Sequence, residues 1–195
     1  MGREKNQQSA PANENRLTRE DWLAKAMDVL AQEGSSPMRI EELAGAIGVT
    51  KGSFYWHFKD RQDFLQSLLS YWLTEITIAV IEEVRATPGS PEERLYALMD
   101  ILNNERYSKF EVPIRAWAVR DAEVDAIVRE ADLQRLEFVR SQFAAMGLQG
   151  HELEMRTQTF VVFHSLEDSL LGHLDQTDEE RQELLKRRHA FFTRK

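Results

Sequence analysis

The chain has 195 residues, no cysteine, nine glycines, five prolines and a formal net charge of −8. Without thiols there are no disulfides, no cysteine-based zinc sites and no thiol nucleophiles. The length fits one small domain plus a medium one, or a single large helical unit, and no apolar run approaches the roughly 20 residues needed to span a bilayer.

Helix formers dominate and no alternating strand-like run stands out, so an all-α protein is expected. The opening MGREKNQQSAPANEN lacks the apolar centre of a signal peptide and reads as a disordered arm over residues 1–15. A first helix is predicted from about Arg19 to Gln32, with Thr18 as N-cap and Glu20 and Asp21 in the first turn. Leu17 and Trp22 stand at the positions of a hydrophobic staple, and Trp22, Ala26, Val29 and Leu30 form the buried stripe. Gly34-Ser35-Ser36-Pro37 ends it.

The next stretch, RIEELAGAIGVTKGSFYWHFKDRQDF from Arg39 to Phe64, is the most informative. Ile40, Leu43, Ala44 and Ile47 fall on one face of a short helix, and Gly48 ends it in a left-handed turn. Thr50 is the expected N-cap of a second helix, on which Phe54 and Phe58 form the buried stripe. Lys51, Ser53, Tyr55, Trp56 and His57 are left pointing elsewhere, and Lys59 follows. No acidic residue occurs from Leu43 through Lys59. Gly52 inside a helix costs roughly 1 kcal/mol against alanine, a cost that close approach to a phosphate explains. This is the layout of a helix-turn-helix whose second helix enters the major groove of DNA.

The segment GVTKGSFYWHFKDRQDFL resembles the recognition helix and following linker of the tetracycline-repressor (TetR) family of one-component regulators. The Gly-Val-Thr turn, the Tyr55-Trp56-His57-Phe58 run and the Lys59-Asp60-Arg61 step into a long helix carry the likeness, which extends from Leu17 to Leu69. A weaker similarity to the central part of the family's ligand-binding domain covers Pro113 to Leu148. Arg39 stands where the family often has a capping threonine or serine; it cannot cap as a hydroxyl does, and a direct contact of Arg39 with DNA is expected instead. The expected DNA contacts are Arg39, Thr50, Lys51, Gly52, Ser53, Tyr55, Trp56, His57 and Lys59. Thr50, Tyr55, His57 and Lys59 are assigned to phosphates, Lys51 and Ser53 to base edges, and Trp56 to a thymine methyl or the sugar backbone.

Beyond the headpiece, an uninterrupted stiff helix is predicted from about Arg61 to Ala86, with Phe64, Leu65, Leu68, Leu69, Trp72, Ile76 and Val80 on its apolar face. Pro88-Gly89-Ser90-Pro91 is a loop. Helices then follow over about Glu92–Asn104, Val112–Val119, Glu123–Met146, Glu152–Leu174 and Asp178–Thr193. The organisation expected is an arm over 1–15, a three-helix DNA-binding headpiece over 16–60, and a ligand-binding and dimerisation domain over 61–195. Residues 1–60 hold 8 Lys/Arg against 9 Asp/Glu, whereas residues 61–195 hold 17 against 24, so the acidity lies mainly in the second part.

The helix ending near Leu174 is apolar on more than one side, so it is either central to a core or shared with a partner. The resemblance implies a homodimer through the last two helices; a monomer that buries these groups internally is the alternative. It also implies a ligand cavity, for which Trp72, Met99, Asn103, Tyr107, Trp117, Phe160 and His164 are candidate lining groups. Their mix suggests a mostly apolar or aromatic small molecule. His164 and Asp168 are i, i+4, a weak metal-ligand spacing, with no HExxH pattern and no metal or cofactor expected. With no Gly-rich phosphate loop and no GxSxG elbow, an enzyme is not expected. The reading is a cytoplasmic, ligand-responsive regulator, most simply a repressor of a palindromic operator in double-stranded DNA. A DNA-binding scaffold without an inducer is the alternative.

Overall fold

The structure is a computed structural model that describes residues 17–33, 39–172, 174 and 176–194. The expected arm, the Gly34–Pro37 stop and His173 lie outside the described residues. Among the described residues the chain is helical without a strand. In order come α1 (Arg19–Glu33), α2 (Ile40–Ile47), α3 (Lys51–His57), α4 (Arg61–Tyr71), a π-helical segment (Trp72–Ile78) and α5 (Ala79–Ala86). Then follow α6 (Pro91–Glu105), a 3-10 turn (Tyr107–Phe110), α7 (Glu111–Ala118), α8 (Ala122–Ala145), α9 (Gly150–Leu171) and α10 (Asp178–Thr193).

Local chemistry sets several of these ends. Thr18 Oγ1 accepts from the Asp21 N–H at 3.1 Å, and the Asp21 carboxylate accepts from the Thr18 N–H at 2.8 Å. Ser90 with Glu93 and Thr177 with Glu180 make the same reciprocal box at α6 and α10. Gly48 takes φ +80°, and the Val49 N–H closes back on the Ala44 carbonyl at 2.9 Å.

The span from Arg61 to Ala86 departs from the expected uniform helix. Between Trp72 and Ile78 the turns widen, and the Ala79 N–H bonds the Thr74 carbonyl five residues back. Phe64, Leu68, Trp72, Ile76, Val80 and Val84, spaced four apart, are all buried. A spacing of four outruns the 3.6-residue turn by about 40° at each step, and wider turns take that rotation back. The span is also long and apolar enough, by composition, to cross a membrane, which corrects the expectation that no such run exists. Most of its large apolar side chains are buried inside the protein, with Leu65, Leu73 and Ile78 half-buried.

Two clusters of buried apolar side chains result. One gathers Trp22, Phe54, Phe58, Phe64 and Trp72 with Phe110, Ile114 and Val128, so the headpiece core continues into α7 and α8. The other gathers Val84, Leu95, Phe138, Phe143, Phe160 and Phe192. Tyr107 packs against both.

Charged and polar groups are buried between the helices as well. Glu111 is 2% exposed. Its carboxylate pairs with Arg135 at 2.8 Å and with Arg115 at 3.0 Å. Arg115 also holds Asp132 through bonds of 2.9 and 2.6 Å, and that pairing raises its pKa. His164 is buried against Phe160 and Phe192, and its Nδ1–H donates to the Phe160 carbonyl at 2.8 Å. A carbonyl only accepts, so Nδ1 carries the proton of the neutral ring and Nε2 is an acceptor.

Removing the carboxylate in Glu111→Ala leaves Arg135 partly buried without its ion-pair partner. A loss of about 3–5 kcal/mol is expected from the urea midpoint at unchanged slope; a loss below about 1 kcal/mol would show the network to be incidental. Burial pushes the His164 imidazole down to about 4, from an ordinary 6.5. The unfolded chain therefore takes up this proton first. The His164 contribution is intact above about pH 6.5 and is lost as pH falls toward 4, by up to about 3 kcal/mol. The difference in stability between the wild type and His164→Gln, measured across that window, should shrink by this amount as pH falls; a constant difference would contradict it.

Candidate nucleic-acid interface and ligand cavity

The turn from α2 to α3 is fixed from inside. Trp22 Nε1–H donates to Ser53 Oγ at 3.1 Å, tying α1 to α3, while Trp22, Phe54, Phe58 and Phe64 pack edge to face. On the far side, Asp60 caps α4 by accepting from the Asp63 N–H, and Asp63 accepts from the Lys59 N–H at 2.9 Å.

This packing sorts the predicted contacts. Tyr55 and Trp56 are 53% and 69% exposed, although both are large aromatic groups. Arg39, Thr50, Lys51, Gly52 and Lys59 are exposed too. Lys51 is ion-paired with Glu41 of α2 and stands 6.0 Å from the Tyr55 ring centre. Arg39 lies 3.5 Å from Glu42. A Cβ at Gly52 would meet only Thr50 Oγ1, at 3.7 Å, so internal packing does not require glycine there.

One expectation needs correction, and packing constrains two further groups. Thr50 makes no side-chain cap bond; the Ser53 N–H bonds the Thr50 carbonyl instead, at 3.0 Å. Ser53 is half-buried and its hydroxyl already accepts from Trp22, which limits it as a reader of base edges. His57 is half-buried, and its Nε2 is sealed without a hydrogen-bond partner, so that atom is not offered to a phosphate. Helical periodicity places Ser53 off the Phe54–Phe58 stripe but does not say that Trp22 of α1 reaches it.

Below the headpiece lies a cavity of about 60 Å³, room for a few water molecules. Its wall is mostly apolar, with Ile76, Val80, Leu102, Phe138 and Val139 among its groups. Polar groups break that wall at Thr77, Tyr107, Ser108, Glu111, Arg135, His164 and Ser165. Of the predicted lining residues, Tyr107, Phe160 and His164 are present. Trp72 and Trp117 pack with the headpiece cluster, and Met99 is buried in the other cluster. Asn103 lines a separate polar pocket with Arg106, Asp168 and Arg188. Asp168 accepts from Arg106 and Ser108, so it is engaged apart from His164. Thr77, Glu111 and Arg135 were not foreseen as lining groups, because polar residues on amphipathic helices read as surface.

Arg135 joins the cavity to the connecting helix. Its Nη2 donates to Thr77 Oγ1 in the π segment at 2.8 Å, and its guanidinium lies 5.1 Å from the Trp72 ring centre. A second route runs through the 3-10 turn. Tyr107 and Ser108 line the cavity, Phe110 enters the headpiece cluster, and Lys109 pairs with Asp28 of α1 at 3.0 Å.

Residues 23–68, which include the candidate interface, match the family model for bacterial regulatory proteins of the tetR family. Over 87 residues the chain is 39% identical to the HTH-type transcriptional regulator AcrR of Shigella flexneri, a stretch that is 44% of this chain and 38% of that relative. The chain thus spans about two fifths of the length of that regulator. The fold is shared with a TetR transcriptional regulator from Legionella pneumophila, at a TM-score of 0.70, 15% identity and coverage of 92% of this chain and 98% of the other. It is shared equally with AibR, solved with isovaleryl coenzyme A and operator DNA, at a TM-score of 0.68, 16% identity and coverage of 90% and 99%. The helix-turn-helix thus lies inside a segment that matches the tetR family model, and the helical fold around it is shared with these two solved regulators.

Proposed function

We propose that the chain is a homodimeric repressor that binds a two-fold symmetric operator and releases it when a small, largely apolar molecule enters the cavity. Residues 16–60 serve as the DNA-binding part and residues 61–195 as the ligand-binding and dimerisation part. Acting on chromosomal DNA, it works in the cytoplasm. The observation that carries the reading is the exposure of Tyr55 and Trp56 beside Lys51 on one short helix that its own core holds rigid, with Lys59 exposed just past its end. Large aromatic groups left in water beside cations suit stacking and apolar contact with a duplex better than they suit a solvent face.

Dimerisation is supported by what α9 and α10 leave uncovered. Met155, Val162 and Leu170 of α9 are exposed and share one face, and Phe191 of α10 is 74% exposed. A second copy related by a two-fold axis would cover them and would set two α3 helices about one helical turn, roughly 34 Å, apart.

Induction requires a ligand that prefers one arrangement of the headpieces over another. The cavity holds only a few waters, so a larger occupant must move its walls. Thr77 in the π segment and Tyr107 in the 3-10 turn belong to those walls and also connect to the headpiece. The mixed wall suits an apolar body carrying one or two hydrogen-bonding groups. An acyl thioester is the first class to test, because AibR, of the same fold, is seen with isovaleryl coenzyme A.

Selection from a random duplex pool should return a symmetric sequence with half-sites about 10 bp apart. A chain that sediments as a monomer and enriches no sequence would overturn the reading. Lys59→Ala should weaken binding to all duplexes alike and flatten the slope of log affinity against log salt by about 0.9. An unchanged slope would remove Lys59 from the phosphate contacts. A panel of acyl-CoA thioesters and aromatic molecules, screened by shift in Tm, should yield a binder that weakens operator affinity by about 5–150-fold. Thr77→Val, which deletes the acceptor for Arg135, should keep ligand binding and shrink that factor; an unaltered factor would show that the π segment carries no signal.

A further inference from the structure

Resting on the DNA-binding reading, we propose that Glu41 is a specificity-determining residue, a built-in counter-anion that holds Lys51 of the recognition helix and suppresses binding to non-specific DNA. Glu41 lies in the first turn of α2 and Lys51 in the first turn of α3, ten residues on. Folding brings them into direct contact, with Lys51 Nζ donating to Glu41 Oε1. Lys51 holds the Glu41 carboxyl below its ordinary range, and Glu41 raises the Lys51 ammonium. Tyr55, one turn along, presents its ring to the same ammonium at 6.0 Å. The long lysine stem is therefore restrained at its charged end from two sides.

Helix stability alone does not explain the choice of residue. Glu42 also lies in the first turn of α2 and meets the macrodipole there. Glu41 is the one of the two that reaches across to α3.

Two physical effects follow from the pairing. An unpaired lysine on a DNA-facing helix collects any phosphate in reach, and each phosphate so neutralised releases counterions from the duplex. A lysine already paired within the protein gains less from a phosphate and releases fewer ions. The tether also limits the positions its ammonium visits, so an acceptor on a base edge must stand where Lys51 is held. Affinity for random sequence falls, while a site that offers an acceptor at that point keeps its advantage.

The test compares the full-length wild type with Glu41→Gln on a random-sequence duplex and on the duplex enriched from the random pool. Glu41→Gln should bind the random duplex several-fold more tightly at low salt, and should narrow the ratio between the two duplexes. Its slope of log affinity against log salt should steepen by about 0.9, equivalent to roughly threefold more loss between about 50 and 200 mM salt. In the double variant Glu41→Gln, Lys51→Met the gain and the extra slope should both vanish. Glu179→Gln makes the same charge change in the first turn of α10 and should move neither quantity. An unchanged slope in Glu41→Gln, or a gain that survives loss of Lys51, overturns the inference while DNA binding stands. A wild type that binds neither duplex overturns the DNA-binding reading, and this inference with it.

Discussion

A carboxylate held between two guanidinium groups organises the middle of this protein. Glu111 is nearly sealed from water, a position in which an unpaired charge would cost several kcal/mol. It is tolerable because Arg115 and Arg135 reach it from either side, and because Asp132 balances Arg115. Those pairings fix the short helix α7 against α8. They also aim Arg135 at Thr77 and Trp72, so one ion network meets the cavity, the π segment and the edge of the headpiece core. Apolar packing alone tolerates small slides between helices. A bidentate arginine pair does not, since its geometry is directional.

That rigidity gives meaning to the two less regular elements. The π segment adapts a buried repeat of four residues to a helical span, and its wider turns place Thr77 in the cavity wall while Trp72 stays in the headpiece cluster. The 3-10 turn is a parallel junction, with Tyr107 packed on both clusters and Lys109 bonded to α1. Movement of either element would change the headpiece only if the rest of the frame held still, and the ion network supplies that frame.

Electrostatics at the opposite end follow a different logic. The chain is acidic overall, yet exposed charges more than about 8 Å apart are largely screened at physiological salt, so a local cationic and aromatic face remains effective. Within that face the cations are restrained rather than abundant. Arg39 and Lys51 each have a glutamate of α2 beside them. The aromatic groups Tyr55 and Trp56 stand exposed on the same helix as Lys51.

Much of this was legible in the residues themselves. Helical periodicity, the Gly48 stop, the Ser90–Glu93 and Thr177–Glu180 boxes and the Phe54–Phe58 stripe are local signals, and local signals survive in a linear string. The strict spacing of four from Phe64 to Val84 was also on view and marked a helix wider than 3.6 residues per turn, although its apolar content alone suggested a plain stiff helix. What the string could not hold was any relation between helices far apart in sequence. That Ser53 is bonded by Trp22, that Lys51 meets Glu41, that Trp72 and Met99 pack away from the cavity and that Glu111, Arg135 and Thr77 form part of its wall all depend on which faces meet. Sequence determined the helices and the chemistry of the exposed face of α3, because those arise within a turn or two of the backbone. Tertiary structure alone decided the cavity and its connections, because a buried charge is stable only where partners from distant helices converge on it.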